Sequence, residues 1–147
     1  MITMAGRILI SVLAVLSAGM QYYDDLNHTH MFNAGWTGHA KYHDAITILL
    51  ATALCVLALI HLWVLPNYNR ERLTMGTLSI GAWWLALAGA MAFPGTTHRD
   101  PEFRDLVPHI GDYRIDLRTL IPLFLVLLTV GYLLELRALR RRRPAPA

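Results

Sequence analysis

Cysteine and charge are what this sequence has least of. A single cysteine, Cys55, stands in 147 residues, so neither an internal disulfide nor a CxxC redox or metal motif can form. Charged residues make up 16% of the chain, against roughly 25% in soluble domains. So few charges cannot cover a water-soluble protein of this size without exposing large apolar patches. Hydrophobic residues reach 55% and the mean hydropathy is +0.40. The composition argues against a soluble globular enzyme and a disordered chain. It also argues against a nucleic-acid binder, despite a pI near 9.4. No internal repeat and no low-complexity stretch is present.

Long apolar runs are what the chain does have. Crossing a hydrocarbon core takes about 20 residues at 1.5 Å rise each. The sequence predicts helices over about 8–23, 38–65, 73–93 and 117–137, with loops at about 24–37 and 94–116 and a basic tail at 137–147. Pro66 and Pro94 follow the second and third runs, and Pro122 falls in the first turn of the fourth apolar run, where a missing N–H costs little. Thr37 is a good N-cap for the second helix. The expectation is one all-α integral membrane domain over 1–147, a polytopic four-transmembrane-helix up-down bundle. Residues 1–19 also fit a secretory signal ending in Ser17-Ala18-Gly19. The continuation through Met20, Gln21, Tyr22 and Tyr23 into an interfacial aromatic belt favours a retained helix.

Arginine placement sets the expected orientation. Arg7, Arg70, Arg72, Arg137 and Arg140 to Arg143 fall on one side, against only Glu71 and Glu135. The other side holds Lys41, Arg99, Arg104, Arg114 and Arg118 against eight acids. Both termini are therefore expected in the cytoplasm of a bacterial inner-membrane protein, with both long loops outside. The basic tail reads as a topology and anionic-lipid anchor. For packing, Ala82, Ala86 and Ala90 with Gly89 form a small-residue seam for close helix approach. Thr47, Thr52 and Thr129 can bond back to their own backbone.

Candidate chemistry gathers on the outer side. Six of the seven histidines, His28, His30, His39, His43, His98 and His109, fall in the outer loops or at their edges. His39 and His43, at i and i+4, share a helix face with Tyr42, Ile46 and Leu50, while Lys41 and Asp44 point away. Apolar residues below the pair suggest that this face turns into the bundle. His28 and His30 would close over the same spot, making His28, His30, His39 and His43 candidate ligands for zinc, iron or copper. Asp24, Asp25, Asp112 or Asp116 would supply a carboxylate or an outer-shell partner. No Glu follows the first histidine of the helical pair, so the pattern is not a zincin motif. It also has fewer histidines than membrane di-iron desaturases. Asp24 and Asp25 close the first helix, and a carboxyl turned inward there loses water and favours its neutral form, as a general acid requires. His61 lies on the His43 stripe and is a candidate for a proton path. One of Trp83 and Trp84 is placed to line an apolar pocket, and Arg99, Arg104, Arg114 and Arg118 to hold a phosphate or carboxylate or to pair within their loop.

At 27–43 the string Asn-His-Thr-His-Met-Phe-Asn-Ala-Gly-Trp-Thr-Gly-His-Ala-Lys-Tyr-His resembles a block of small, uncharacterised four-helix membrane proteins rich in histidine. That resemblance implies a fold and no activity. A weaker likeness is to the fold shared by sterol isomerases and the sigma-2 receptor, compact helical membrane proteins with acids near an apolar cavity. The residues themselves point to binding or transforming a small lipophilic molecule that enters from the bilayer. Metal-assisted oxidation and cofactor-free isomerisation or cyclisation both fit, with His39 and His43 as ligands or bases and Asp24 or Asp25 as the acid. The alternatives are an accessory or assembly subunit meeting a protein partner, and a small transporter or proton channel. Membrane lipids are expected partners, nucleic acid is not, and a second copy of the chain fits as well.

Overall fold

A computed structural model describes residues 4–99 and 101–141, so Asp100 and the arginines beyond Arg141 lie outside the described residues. The chain forms α1 (Ala5–Asp25), α2 (Gly38–Leu59), α3 (Arg70–Ala90) and α4 (Leu117–Arg141). One π turn, Ile60–Val64, extends α2, closed by the Leu65 N–H on the Ile60 carbonyl at 3.0 Å. The second long loop carries a 3-10 turn, Pro101–Leu106, and a two-stranded hairpin of β1 (His109–Ile110) and β2 (Tyr113–Arg114). Consecutive helices pack side by side and α4 returns to α1, which gives the expected up-down bundle.

Local chemistry explains most helix boundaries. Thr37 caps α2, its hydroxyl accepting the Ala40 N–H at 3.2 Å. The Asn69 side chain does the same for α3 through Arg72 at 3.0 Å, and Asp116 for α4 through Arg118 at 2.9 Å. Helix α1 has no side-chain cap of its own at Met4. Its Arg7 N–H instead donates to Glu135 Oε2 of α4 at 3.1 Å, so a carboxylate from another helix sits against the positive end of α1. Two glycines make that approach possible. A Cβ on Gly6 would strike the Gly131 carbonyl oxygen and lie 2.6 Å from the Glu135 backbone nitrogen. Arg7 then lays its guanidinium 3.8 Å over Trp63 and 4.2 Å from Tyr68, and the Trp63 indole N–H donates to Ser11 at 2.7 Å.

All four helices are long and apolar enough to cross a membrane. Ile8, Val12, Val15, Leu49, Val56, Leu57, Leu85 and Val126 all face outward, a belt that water would not tolerate. These are the features expected of a multi-pass membrane protein. Thr47, Thr52 and Thr129 bond back to the carbonyls of Asp44, Ile48 and Leu125, as expected.

Two expected faces are inverted. On α2 the buried stripe is Asp44, Ile48, Ala51, Cys55 and Ala58, continued by Leu62. His39, Tyr42, His43, Ile46 and Leu50 are exposed. Lipid tails are as apolar as leucine, so nothing draws the bulky residues inward, whereas Ala51, Cys55 and Ala58 let backbones meet. On α3 the seam of Ala82, Ala86, Gly89 and Ala90 is exposed, and Leu73, Gly76, Ile80, Trp83 and Trp84 face in. The Trp84 indole N–H needs an acceptor and finds Ser17 Oγ at 2.9 Å, while its ring stacks on Phe124 at 4.1 Å. Turning both tryptophans inward carries the alanines outward.

Candidate functional site

The two ends of the bundle differ in how they treat carboxyl groups. At the end away from the chain termini, α1 extends two residues beyond its expected stop and takes Asp24 and Asp25 into its last turn. The inner stripe of α2 begins at Asp44, about two turns below its cap. Between them opens a cavity of about 370 Å³. Gln21, Asp24, Asp25, Asp44 and Thr47 form one wall, Trp83, Leu87 and Met91 of α3 another, and His30, His98 and Arg99 reach in from the loops.

Asp44 is only 8% exposed. Its Oδ2 and the Oε1 of Gln21 are buried acceptors with no donor among the described residues. Burying such a group without a donor is costly. The charges within reach are unequal. Asp25 faces Asp44 and Asp24, whereas Arg99 and His30 face Asp24, and His30 faces Asp44. Three carboxyl groups in one half-enclosed cavity do not all stay charged without a proton or a cation among them.

A short relay fixes His30. The Asn27 side-chain N–H donates to the Tyr23 and Asp24 carbonyls at 2.7 and 2.8 Å, which orients its amide and closes α1. Asn27 Oδ1 therefore accepts the Thr29 hydroxyl at 2.8 Å. With its proton given there, Thr29 Oγ1 accepts from His30 Nδ1 at 2.7 Å. In the neutral ring this arrangement puts the proton on Nδ1 and leaves the Nε2 lone pair free. Thr29 is buried and the ring packs edge-on against Trp36 at 5.0 Å, so the imidazole is held rather than solvated.

The expected four-histidine ligand set does not assemble. His39 and His43 lie on the exposed face of α2, with their Nε2 atoms 3.1 Å apart. His28 packs against Phe103 and His30 lines the cavity. Among the described residues no three His, Cys, Asp or Glu side chains are placed to hold a metal ion. The physical reason is the register of α2, which turns the pair outward and Asp44 inward. His98 is paired with Asp116 at 3.2 Å. His61 falls in the π turn, half-buried, with Nδ1 enclosed and without a hydrogen-bond partner among the described residues. Of the loop arginines, Arg99, Arg114 and Arg118 line a second cavity of about 510 Å³ that shares His98 and Arg99 with the first. Of the tryptophans, Trp83 lines the carboxyl cavity.

Sequence reasoning brought Asp24, Asp25 and His30 to the right end and missed Asp44, Gln21 and Thr47. The signal was the spacing 44, 48, 51, 55, 58 and 62, a four-three alternation rich in small residues.

Fold and cavity together describe a bundle of four helices, each long and apolar enough to cross a membrane, with a cavity edged by carboxyl groups at one end. The chain belongs to the family of unknown function DUF6640, whose profile matches residues 9–145. That match is consistent with the resemblance at 27–43 to an uncharacterised family. No curated protein and no solved structure matches the chain, and the likeness to sterol isomerases and the sigma-2 receptor finds no counterpart in these comparisons.

Proposed function

We propose that this is a bacterial inner-membrane protein, with both termini in the cytoplasm, whose outward cavity binds a small lipophilic molecule from the bilayer and moves a proton on it. The observation that carries this reading is the pair of buried acceptors without donors among the described residues, Asp44 Oδ2 and Gln21 Oε1, on two residues that line one cavity. A ligand that brings a donor, or a proton in transit, satisfies them. At about 370 Å³ the cavity is at the small end of the roughly 300–1,000 Å³ of ligand sites. Trp83, Leu87 and Met91 offer an apolar surface opposite the acids.

In this reading His30 Nε2 is the base, held by Thr29 and Asn27. Asp25 is the acid. The Thr47 hydroxyl lies 2.7 Å from the Asp44 carbonyl and 3.4 Å from Asp25 Oδ2 and donates to either. A base and an acid on one cavity suit an isomerisation or cyclisation, in which a proton leaves one carbon and returns at another without any change in oxidation state. The metal-assisted oxidation ranks second because His28, His30, His39 and His43 are dispersed. A proton channel ranks lower still. The middle of the bundle is filled by Ile10, Leu13, Ala51, Cys55, Ile80, Phe124 and Leu128, which offer no polar steps towards His61.

The test is mass spectrometry of small molecules that co-purify with the protein in lipid nanodiscs. A lipophilic compound should accompany the unmodified protein and be depleted from Asp44→Asn and from Asp25→Asn. Identical extracts from all three would remove the reading. A stoichiometric protein partner whose retention ignores these substitutions would favour the accessory role.

A further inference from the structure

The exposed histidines of α2 have a geometry of their own. His39 Nε2 and His43 Nε2 are 3.1 Å apart, and their rings stand at 90° with centroids separated by 4.6 Å. Both belong to the first two turns of a helix whose start is fixed by Thr37, so the pair is held by backbone rather than by a flexible loop. Two ring nitrogens at that distance share one proton or one metal ion. Bonds of about 2.0–2.1 Å to nitrogens 3.1 Å apart close at an angle of roughly 95–102°, between the octahedral and tetrahedral values. We propose that His39 and His43 form an open two-nitrogen chelate for a divalent late transition metal ion at the surface of α2. Water or an external ligand fills the remaining positions, since no third His, Cys, Asp or Glu among the described residues is in place.

Imidazole pairs suit copper, nickel and zinc, and affinity in this series peaks at copper. A tetragonal Cu(II) centre accepts two cis nitrogens near a right angle, which the observed separation supplies. Neither histidine lines the carboxyl cavity. The chelate therefore stands or falls independently of the proposed proton transfer, and its ion exchanges with the medium.

The experiment uses untagged protein in nanodiscs, titrated with Cu(II) and followed by electron paramagnetic resonance. One Cu(II) per chain, with superhyperfine splitting from two nitrogens, is the expected result, with Ni(II) and Zn(II) competing more weakly. His39→Ala and His43→Ala should each weaken binding by at least about tenfold, the lower end of what even an outer-shell partner contributes. The double change His28→Ala with His30→Ala should leave binding as it was. Alanine is the best helix former, so unchanged far-UV circular dichroism separates ligand loss from unfolding. No stoichiometric binding by the unmodified protein overturns the proposal, as does equal binding by the His39→Ala/His43→Ala protein.

Discussion

Glu135 and Asp44 are both buried carboxyl groups in membrane-crossing helices, and the structure treats them in opposite ways. Glu135, with no exposed surface, is enclosed where α4 meets α1 and accepts the Arg7 N–H at 3.1 Å. Gly6 and Gly131 remove every side chain that would hold the helices apart there. Asp44 is nearly as buried, yet one of its oxygens has no donor among the described residues, and the residue lines a cavity shared with Asp24, Asp25 and His30. An ionisable residue in a span is a functional candidate by default. The contrast shows that burial alone does not make one. The proposed function gives a role only to the carboxyl that lines a cavity, and none to the one packed between two helices.

The closed end should be the less forgiving of change. Gly6→Val places side-chain carbon on the Gly131 carbonyl, a backbone contact that cannot rotate away, and should destabilise by about 3 kcal/mol or more. Thermal unfolding in detergent would show it, and a loss under 1 kcal/mol would mean that the helices are not this close. Next comes Glu135→Ala, which removes the acceptor of the Arg7 N–H and should cost about 1.5–3 kcal/mol. Ser17→Ala, which strips the Trp84 indole of its partner, should cost about 1–2 kcal/mol. At the open end, Asp44→Asn replaces a buried carboxyl that has an oxygen without a donor among the described residues, so stability should hold or rise by up to about 1 kcal/mol while the bound molecule is lost. A large destabilisation there would place Asp44 in the same class as Glu135. The smallest effect is expected from Ala86→Leu on the exposed seam of α3, within about 0.5 kcal/mol. A larger one would show that the seam meets another surface.

Much of this architecture was legible. Helix number, the Thr37 cap and the clustering of acids at one end follow from hydropathy, capping chemistry and the arginine count. The faces were harder. Reading Ile46 and Leu50 as an inward stripe below His43 applies a rule from water, where apolar residues seek the core. In lipid the rule loses its force, and the informative residues were the small ones, Ala51, Cys55 and Ala58, which lead directly up to Asp44. On α3 the same logic fails, because Ala82, Ala86 and Ala90 compete with two tryptophans and Trp84 needs Ser17. Two contacts had no local signature at all. The carboxylate that caps α1 stands 128 positions away, and the His30 tautomer depends on an asparagine whose orientation only the folded turn defines.

The register of α2 decides between a carboxyl cavity and a histidine one, and single cysteines placed at 43 and 44 test it directly. In a Cys55→Ser background, His43→Cys and Asp44→Cys would each be treated in intact cells with a membrane-impermeant maleimide. The account predicts fast labelling from outside at position 43 and much slower labelling at position 44. Faster labelling at 44 than at 43 would turn the helix over and contradict the cavity described above.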